Sequence, residues 1–396
     1  MIARLPLDPA EVEATLQPLE RASMLPPAAF TDLAVLAWEL ESLFAGGWVC
    51  AAHTASVAEP GAYVMREIGD QSFFVIGGEH GRPCAFHNVC RHRGSRLVED
   101  AEGALKRMIR CPYHGWAYAF DGSLRAAPKT DGIENFDPAC YGLVPLRTEV
   151  VGGLVMVDLG GAAPDVDEHV GDLVERLDLY RVADLVRGAS RDYEVEANWK
   201  AIAENYSECL HCPGVHPELN ALSDYASGEA FTGAGAWCGG SMTLNEGAET
   251  MGRDGGRGVR PPIAGLAPDE LGSVYYFVLF PNALVSLHPD YVMLHTLWPR
   301  DPGRTDVTCE WFFEPGTIAR EDFDPSDAVD FWDQVNREDW HVCELAQKGM
   351  RSRGYTAGRY TTQEGDVHAF DTMVGERYLQ AVRDPVAAGR SAAGRR

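Results

Sequence analysis

Two stretches decide how the first half of this chain folds: Cys90-Arg-His-Arg-Gly-Ser-Arg-Leu97 and Cys111-Pro-Tyr-His-Gly-Trp-Ala-Tyr118. Each offers one thiol and one imidazole on a short loop, Cys90 with His92 and Cys111 with His114. Two sulfurs and two imidazoles fit tetrahedral zinc or a [2Fe–2S] cluster in which histidines replace two cysteines on one iron. A Cys-x-His loop paired with a Cys-x-x-His loop is the cluster arrangement. A zinc finger more often shows two close cysteines followed by a histidine pair. Arg93-Gly94-Ser95 and Gly115-Trp116 supply tight turns that bring backbone N–H groups close to sulfur.

Outward from these loops, from Trp48 to about Asp158, the chain alternates short apolar runs with glycine-containing turns. AYVMREI, QSFFVIG and CAFHNV are separated by Gly69-Asp70 and His80-Gly81, which predicts an antiparallel meander. Upstream, a short helical pattern follows Asp8-Pro9. Thr31-Asp32 then reads as an N-cap for a helix carrying Leu33, Leu36, Leu40, Leu43 and Phe44, stopped by Gly46-Gly47. Residues 159–190 are acidic and hinge-like, then helical, and mark a boundary. Beyond a helix near 198–212 and a glycine-rich region at 227–274 come the strand-like runs SVYYFVLF, ALVSLH, YVMLHTLWP and DVTCEWFFEP. A long helix from about Ser326 to Lys348 follows.

The 396 residues carry 34 Lys+Arg against 59 Asp+Glu, a net charge of −25. Binding a polyanion requires a basic surface that displaces counterions, so nucleic acid is excluded as a partner, and so is docking on an anionic membrane. The most apolar stretch, Tyr275 to Leu297, is broken by Pro281, Asn282, His288 and Asp290, and does not read as a membrane span. The opening MIARLPLDPAEVE lacks the apolar centre of a signal peptide, so the expected location is cytoplasmic. In that reducing compartment ten cysteines ask to be read as metal or redox chemistry rather than as a disulfide framework.

A second constellation lies in Asn198-Trp-Lys-Ala-Ile-Ala-Glu-Asn-Tyr-Ser-Glu-Cys-Leu-His211-Cys-Pro-Gly-Val-His216-Pro. On an unbroken helix, residues five apart point ~140° from each other and cannot share a metal. Pro213-Gly214 between the two histidines is expected to end the helix and let His216 swing back toward His211. Two histidines so placed can share one metal ion, to which a carboxylate would add a third ligand. The late helix offers Asp333 and Asp339 as that carboxylate.

CRHRGSRL followed by CPYHGWAY, with this second segment downstream, resembles the catalytic (alpha) subunit of the ring-hydroxylating-type Rieske non-haem iron oxygenases. The resemblance implies an α+β fold: an antiparallel-β Rieske domain and a helix-grip-type catalytic domain, an antiparallel sheet covered by helices. The expected division is an N-terminal helical segment at 1–45, the Rieske domain at 46–160, the catalytic domain at 161–385 and a disordered tail at 386–396. Cys90, His92, Cys111 and His114 would hold the cluster. His211 and His216 would hold Fe(II). The family's Glu-Asp pair followed by a later Glu matches Glu338-Asp339 and Glu344, which makes Asp339 the third ligand, with Asp333 as the alternative. Glu208 would bridge His114 of one subunit to His211 of the next, and Asn205 would lie near the iron. That bridge requires an oligomer, a homotrimer in this family. No GxGxxG motif follows a strand, so electrons would come from NAD(P)H through a separate flavin- or ferredoxin-type reductase. The arginines at 91, 93, 96, 107 and 110 would be a docking patch for it or ordinary solvated surface.

Glu208, rather than Asp, within ENYxECxHCPxxHPE looks most like the branch acting on quaternary ammonium compounds such as glycine betaine, proline betaine, carnitine or choline. Hydroxylation of an N-methyl group there gives an N-hydroxymethyl species that loses formaldehyde. The alternatives are an aromatic acid or ring hydroxylating (di)oxygenase, a non-enzymatic Rieske electron-transfer protein and a zinc-binding structural protein. A cationic substrate calls for aromatic faces. Tyr206, Trp237, Tyr275, Tyr276, Phe277 and Tyr291 are available, with no box assigned among them. Cys209 and Cys212 mimic a redox pair and read as buried small hydrophobes. Cys84 and Cys140 match no ligand position. Cys50, Cys238, Cys309 and Cys343 read as core, and His341 and His368 as structural.

Overall fold

The computed structural model describes residues 6–79, 81–231 and 233–383. The expected tail at 386–396, and His80 of the expected turn, lie outside them. Asp8 accepts from the Ala10 N–H to start the helix Pro9–Thr15, with Pro9 where its missing N–H costs nothing. Asp32 caps Leu33–Glu39 by accepting from Ala34 N–H at 2.7 Å, and a π-helical turn, Leu40–Phe44, carries the chain to the glycine pair.

The expected meander is present. Ala62–Ile68, Gln71–Gly77 and Pro83–His87 pair in sequence, all antiparallel. They sit in a seven-stranded sheet that also holds Trp48–His53, Glu102–Ala104, Pro145–Val151 and Leu154–Asp158. A separate three-stranded sheet (Ile109–Arg110, Ala117–Tyr118, Leu124–Ala126) carries the second Cys-His loop in its first hairpin.

Residues 159–190 are less helical than expected. Short helices at Val166–Val170 and Leu173–Leu179 give way to Val186–Val195, an edge strand. There Tyr193 and Val195 alternate inward, the period of a strand rather than a helix. It pairs with Arg304–Phe313, which continues through Val292–Asp301, Ala283–Leu287, Ser273–Leu279, Trp237–Thr243 and Glu229–Phe231 as a second antiparallel sheet of seven. Thus part of the glycine-rich region is strand. Gly239 and Gly240 belong to Trp237–Thr243, and a Cβ on either would meet backbone oxygen, of Tyr276 and Glu229 respectively, at about 2 Å.

The helices Trp199–Tyr206, Ser326–Met350 and Gly365–Arg383 pack against this second sheet. Asn282, at one of its hairpins, accepts from Cys50 N–H and donates to Cys50 C=O in the first sheet, so one core joins the two halves. Among the described residues no helix is long and apolar enough to cross a membrane.

Candidate metal centres and cavity

The two Cys-His loops have the same backbone. Cys90 N–H donates to Ser95 C=O and Gly94 N–H returns to Cys90 C=O. Cys111 N–H likewise donates to Trp116 C=O, and Gly115 N–H returns to Cys111 C=O. The glycines have φ of 73° and 74°, the left-handed conformation that closes each turn. Cys90 and Cys111 are both 2% exposed, whereas His92 and His114 lie at the surface, their rings 4.7 Å apart. The Tyr118 hydroxyl accepts from Arg91 N–H and donates to the Cys90 sulfur at 3.2 Å. Burial pushes the Cys111 thiol up, but backbone N–H groups of Tyr113 and His114 outweigh it and hold the thiol below its usual range. Paired inner sulfurs, outer imidazoles and donors aimed at sulfur suit a two-iron cluster with one all-sulfur and one all-histidine iron.

The second constellation also closes, by a different route from the one expected. The helix Trp199–Tyr206 ends before His211, not after it. Ser207 bonds back to Ala203 C=O, and Pro213 sits inside a one-turn helix, Cys212–Val215, at a first-turn position that needs no N–H. His216 is the single non-helical residue between that turn and the helix Pro217–Leu222. The turn brings the Cα atoms of Cys209 and Cys212 to 5.0 Å, and their sulfurs are bonded. The reading of these two as buried small hydrophobes is therefore corrected: they are paired, and Cys209 is only partly buried.

Asp339 Oδ1 lies 2.8 Å from His216 Nε2 and 3.2 Å from His211 Nε2. One ligand atom from each residue falls within 4.8 Å of the others, a donor set that fits Fe(II). The far nitrogens are also engaged: His211 Nδ1 by Glu208 at 2.6 Å and His216 Nδ1 by Glu338 at 2.7 Å. With Nδ1 held by a carboxylate, each ring turns its Nε2 inward toward Asp339, the nitrogen through which it would bind a metal ion. Burial pushes His211 down, but Asp339 and Glu208 overcome it and raise the ring to about 10, a charge that a metal ion would replace. Asn205 Nδ2 stands 3.5 Å from His211 Nε2, beside the site. Asp333, the alternative third ligand, is used elsewhere: it accepts from Tyr193 and Arg337. His368 bonds to Thr15 C=O.

A cavity of about 290 Å³ opens beside the triad. Of the six aromatic candidates only Tyr206 and Tyr276 line it; Tyr225 and Trp332 do so unforeseen, and Trp332 continues the row Tyr206, Tyr276, Trp332. Their rings follow one another at 6.0 and 6.4 Å. Strand alternation sorts the rest: Tyr275 and Phe277 face the opposite side of the sheet from Tyr276. Arg176 already covers Tyr275 at 4.7 Å and Arg260 covers Tyr291 at 6.0 Å. Among the described residues no cation lies over Tyr206, Tyr276 or Trp332. Sequence reasoning also missed Glu338 as a partner of His216, although it adjoins the expected ligand.

Residues 47–137 match the Rieske [2Fe-2S] domain, and residues 182–380 match the ring hydroxylating alpha subunit (catalytic domain). The chain belongs to the ring-hydroxylating alpha-subunit family, as an oxygenase subunit of the Rieske non-haem iron monooxygenases. Several of the similar proteins are quaternary ammonium enzymes. The glycine betaine monooxygenase oxygenase subunit of Pseudomonas aeruginosa is 29% identical over 98% of this chain and 97% of its own length. The chloroplastic choline monooxygenase of Arabidopsis thaliana is 30% identical over 90% of this chain and 83% of its own. The solved structure of a quaternary ammonium Rieske monooxygenase, described for carnitine oxidation and inter-subunit electron transfer, superposes with a TM-score of 0.80. It is 26% identical and covers 96% of this chain and 100% of that one.

Proposed function

We propose that this protein hydroxylates an N-methyl group of a quaternary ammonium compound, releasing formaldehyde by oxidative N-demethylation. The observation that carries this reading is the aromatic wall of Tyr206, Tyr276 and Trp332, open to a cation and set beside the histidine–aspartate triad. Aromatic faces replace the weak hydration of a methylated ammonium, which donates no hydrogen bond.

In this reading Cys90, His92, Cys111 and His114 hold the [2Fe–2S] cluster, and His211, His216 and Asp339 hold the iron. When bound, the two centres supply single electrons and O2 activation. In balance, the N-methyl ammonium cation, O2, two electrons and two protons give the N-hydroxymethyl ammonium cation and water. The bond from nitrogen to the hydroxymethyl carbon then breaks with its electron pair left on nitrogen, giving the tertiary amine, formaldehyde and a proton. The tyrosines and Trp332 hold the ammonium with one methyl toward the triad. Glu208 and Glu338 fix the two imidazole tautomers. The exposed edges of His92 and His114 suit electron transfer between subunits of a homotrimer, with Glu208 as the bridge to the neighbouring chain's His114. A separate NAD(P)H reductase supplies the electrons.

The test is O2 uptake and formaldehyde release with a surrogate reductase over methylated ammonium compounds and aromatic acids. One formaldehyde per turnover on an ammonium substrate is expected. Turnover confined to aromatic acids overturns the proposal.

A further inference from the structure

Four carboxylates line the cavity, Glu208, Glu229, Asp339 and Asp366, and its described lining residues include no lysine or arginine. Glu208 and Asp339 are engaged by the two histidines, and their charges offset the divalent ion those histidines would hold. Glu229 and Asp366 are left over. Neither side chain makes a hydrogen bond or ion pair among the described residues.

Asp366 stands in the first turn of the helix Gly365–Arg383. Its Oδ2 lies 3.2 Å from the point where a Cβ on Gly240 would sit, and Gly240 itself lines the cavity. A bare glycine on the strand is thus what leaves room for this carboxylate at the wall. Burial pushes the Asp366 carboxyl up to about 6, so it is ionised at neutral pH at a cost that an adjacent cation would relieve. In register with Gly240 on the next strand is Tyr276, whose hydroxyl is buried without a partner. The cavity therefore offers aromatic faces, an unpaired negative charge and an uncharged hydroxyl.

We infer that the substrate is an ammonium ion whose remaining functional group is uncharged, an alkyl- or hydroxyalkyl-ammonium rather than a betaine. The inference rests on the quaternary ammonium reading above and narrows it. A carboxylate on the substrate would be brought beside the unpaired carboxylates Glu229 and Asp366 with no lysine or arginine in the described lining to meet it, and like charges in a desolvated site reject a ligand strongly. A hydroxyl instead meets the Tyr276 hydroxyl, while the ammonium charge meets Asp366.

The experiment is equilibrium binding to the intact holoprotein by calorimetry, with choline and tetramethylammonium as cations, glycine betaine and carnitine as zwitterions, and benzene as an uncharged arene. The cations are expected to bind about ten-fold or more tightly than the zwitterions. Asp366→Asn should weaken choline binding about ten-fold while leaving glycine betaine unchanged or improved, with the cluster's visible spectrum as the check on folding. Should that variant not fold, Glu229→Gln makes the same comparison from the exposed side of the cavity. Glycine betaine binding as tightly as choline overturns the inference and leaves the quaternary ammonium reading standing. Choline binding unchanged in the folded Asp366→Asn protein also overturns it. Binding of benzene with none of the four ammonium compounds overturns the broader reading as well.

Discussion

Glu338 meets Nδ1 of His216 at 2.7 Å while its neighbour Asp339 meets Nε2 of the same ring at 2.8 Å. Two consecutive helical residues thus hold the two ends of one imidazole, and the ring can neither flip nor change tautomer without losing a partner. Outer partners of this kind are worth ~10–100-fold in metal affinity. Glu338→Ala is expected to weaken mononuclear iron binding by about that factor and leave the cluster's absorption intact. Iron titration of metal-depleted protein reads it, and wild-type affinity would remove Glu338 from this role.

Asp339 Oδ1 faces both histidines, so Asp339→Ala should keep the red-brown cluster colour and lose mononuclear iron and turnover together. Metal analysis beside the visible spectrum separates the two centres. Turnover retained in this variant would move the ligand assignment elsewhere.

Glu208 holds His211 Nδ1 and is also the proposed bridge to the neighbouring subunit. Glu208→Gln should keep both metals and block coupled turnover. Rapid-mixing kinetics would show the cluster reducing normally but failing to reoxidise with O2 and substrate. Normal reoxidation rules out the bridge.

The Tyr118 hydroxyl donates to the Cys90 sulfur, and donors to cluster sulfurs favour the more negative, reduced state. Tyr118→Phe should therefore lower the cluster's midpoint potential, measured by redox titration of the visible bands. An unchanged or raised potential would refute the donor role.

Behind the cavity, Glu204 Oε1 and Asp371 Oδ1 are buried without a donor, and one oxygen is satisfied when the other carboxyl carries a proton. Burial first, then the charge of Asp371, raises Glu204 well above the carboxylate range, and burial raises Asp371 to about 6. Acids raised in the folded state contribute stability that is present below about 4 and lost as pH rises through about 6. Glu204→Gln supplies a permanent N–H donor, so its melting temperature should fall less than wild type between pH 4 and 7. Parallel pH profiles would dismiss the shared proton.

Much of this protein was determined locally. Cys90, His92, Cys111 and His114 lie on loops whose turns are closed by their own glycines, and the strand Gln71–Gly77 announces itself by its apolar run and flanking turns. Such features depend on neighbours a few residues away, so spacing and residue type carry them. The grouping of His211, His216 and Asp339 was legible, and the structure brings the three together, but the break that joins the histidines was placed wrongly. Ser207 and Glu208 end the helix through side-chain bonds to backbone that compete with the helix only in this setting.

Tertiary structure alone decided the cavity. Tyr206, Tyr276, Trp332 and Asp366 come from two helices, a strand and the start of a third helix. Nothing in the spacing of those four residues distinguishes Tyr276 from the core residue Tyr275 beside it. The choice is made by which face of the sheet the helices cover, and by two glycines that leave space where side chains would otherwise stand.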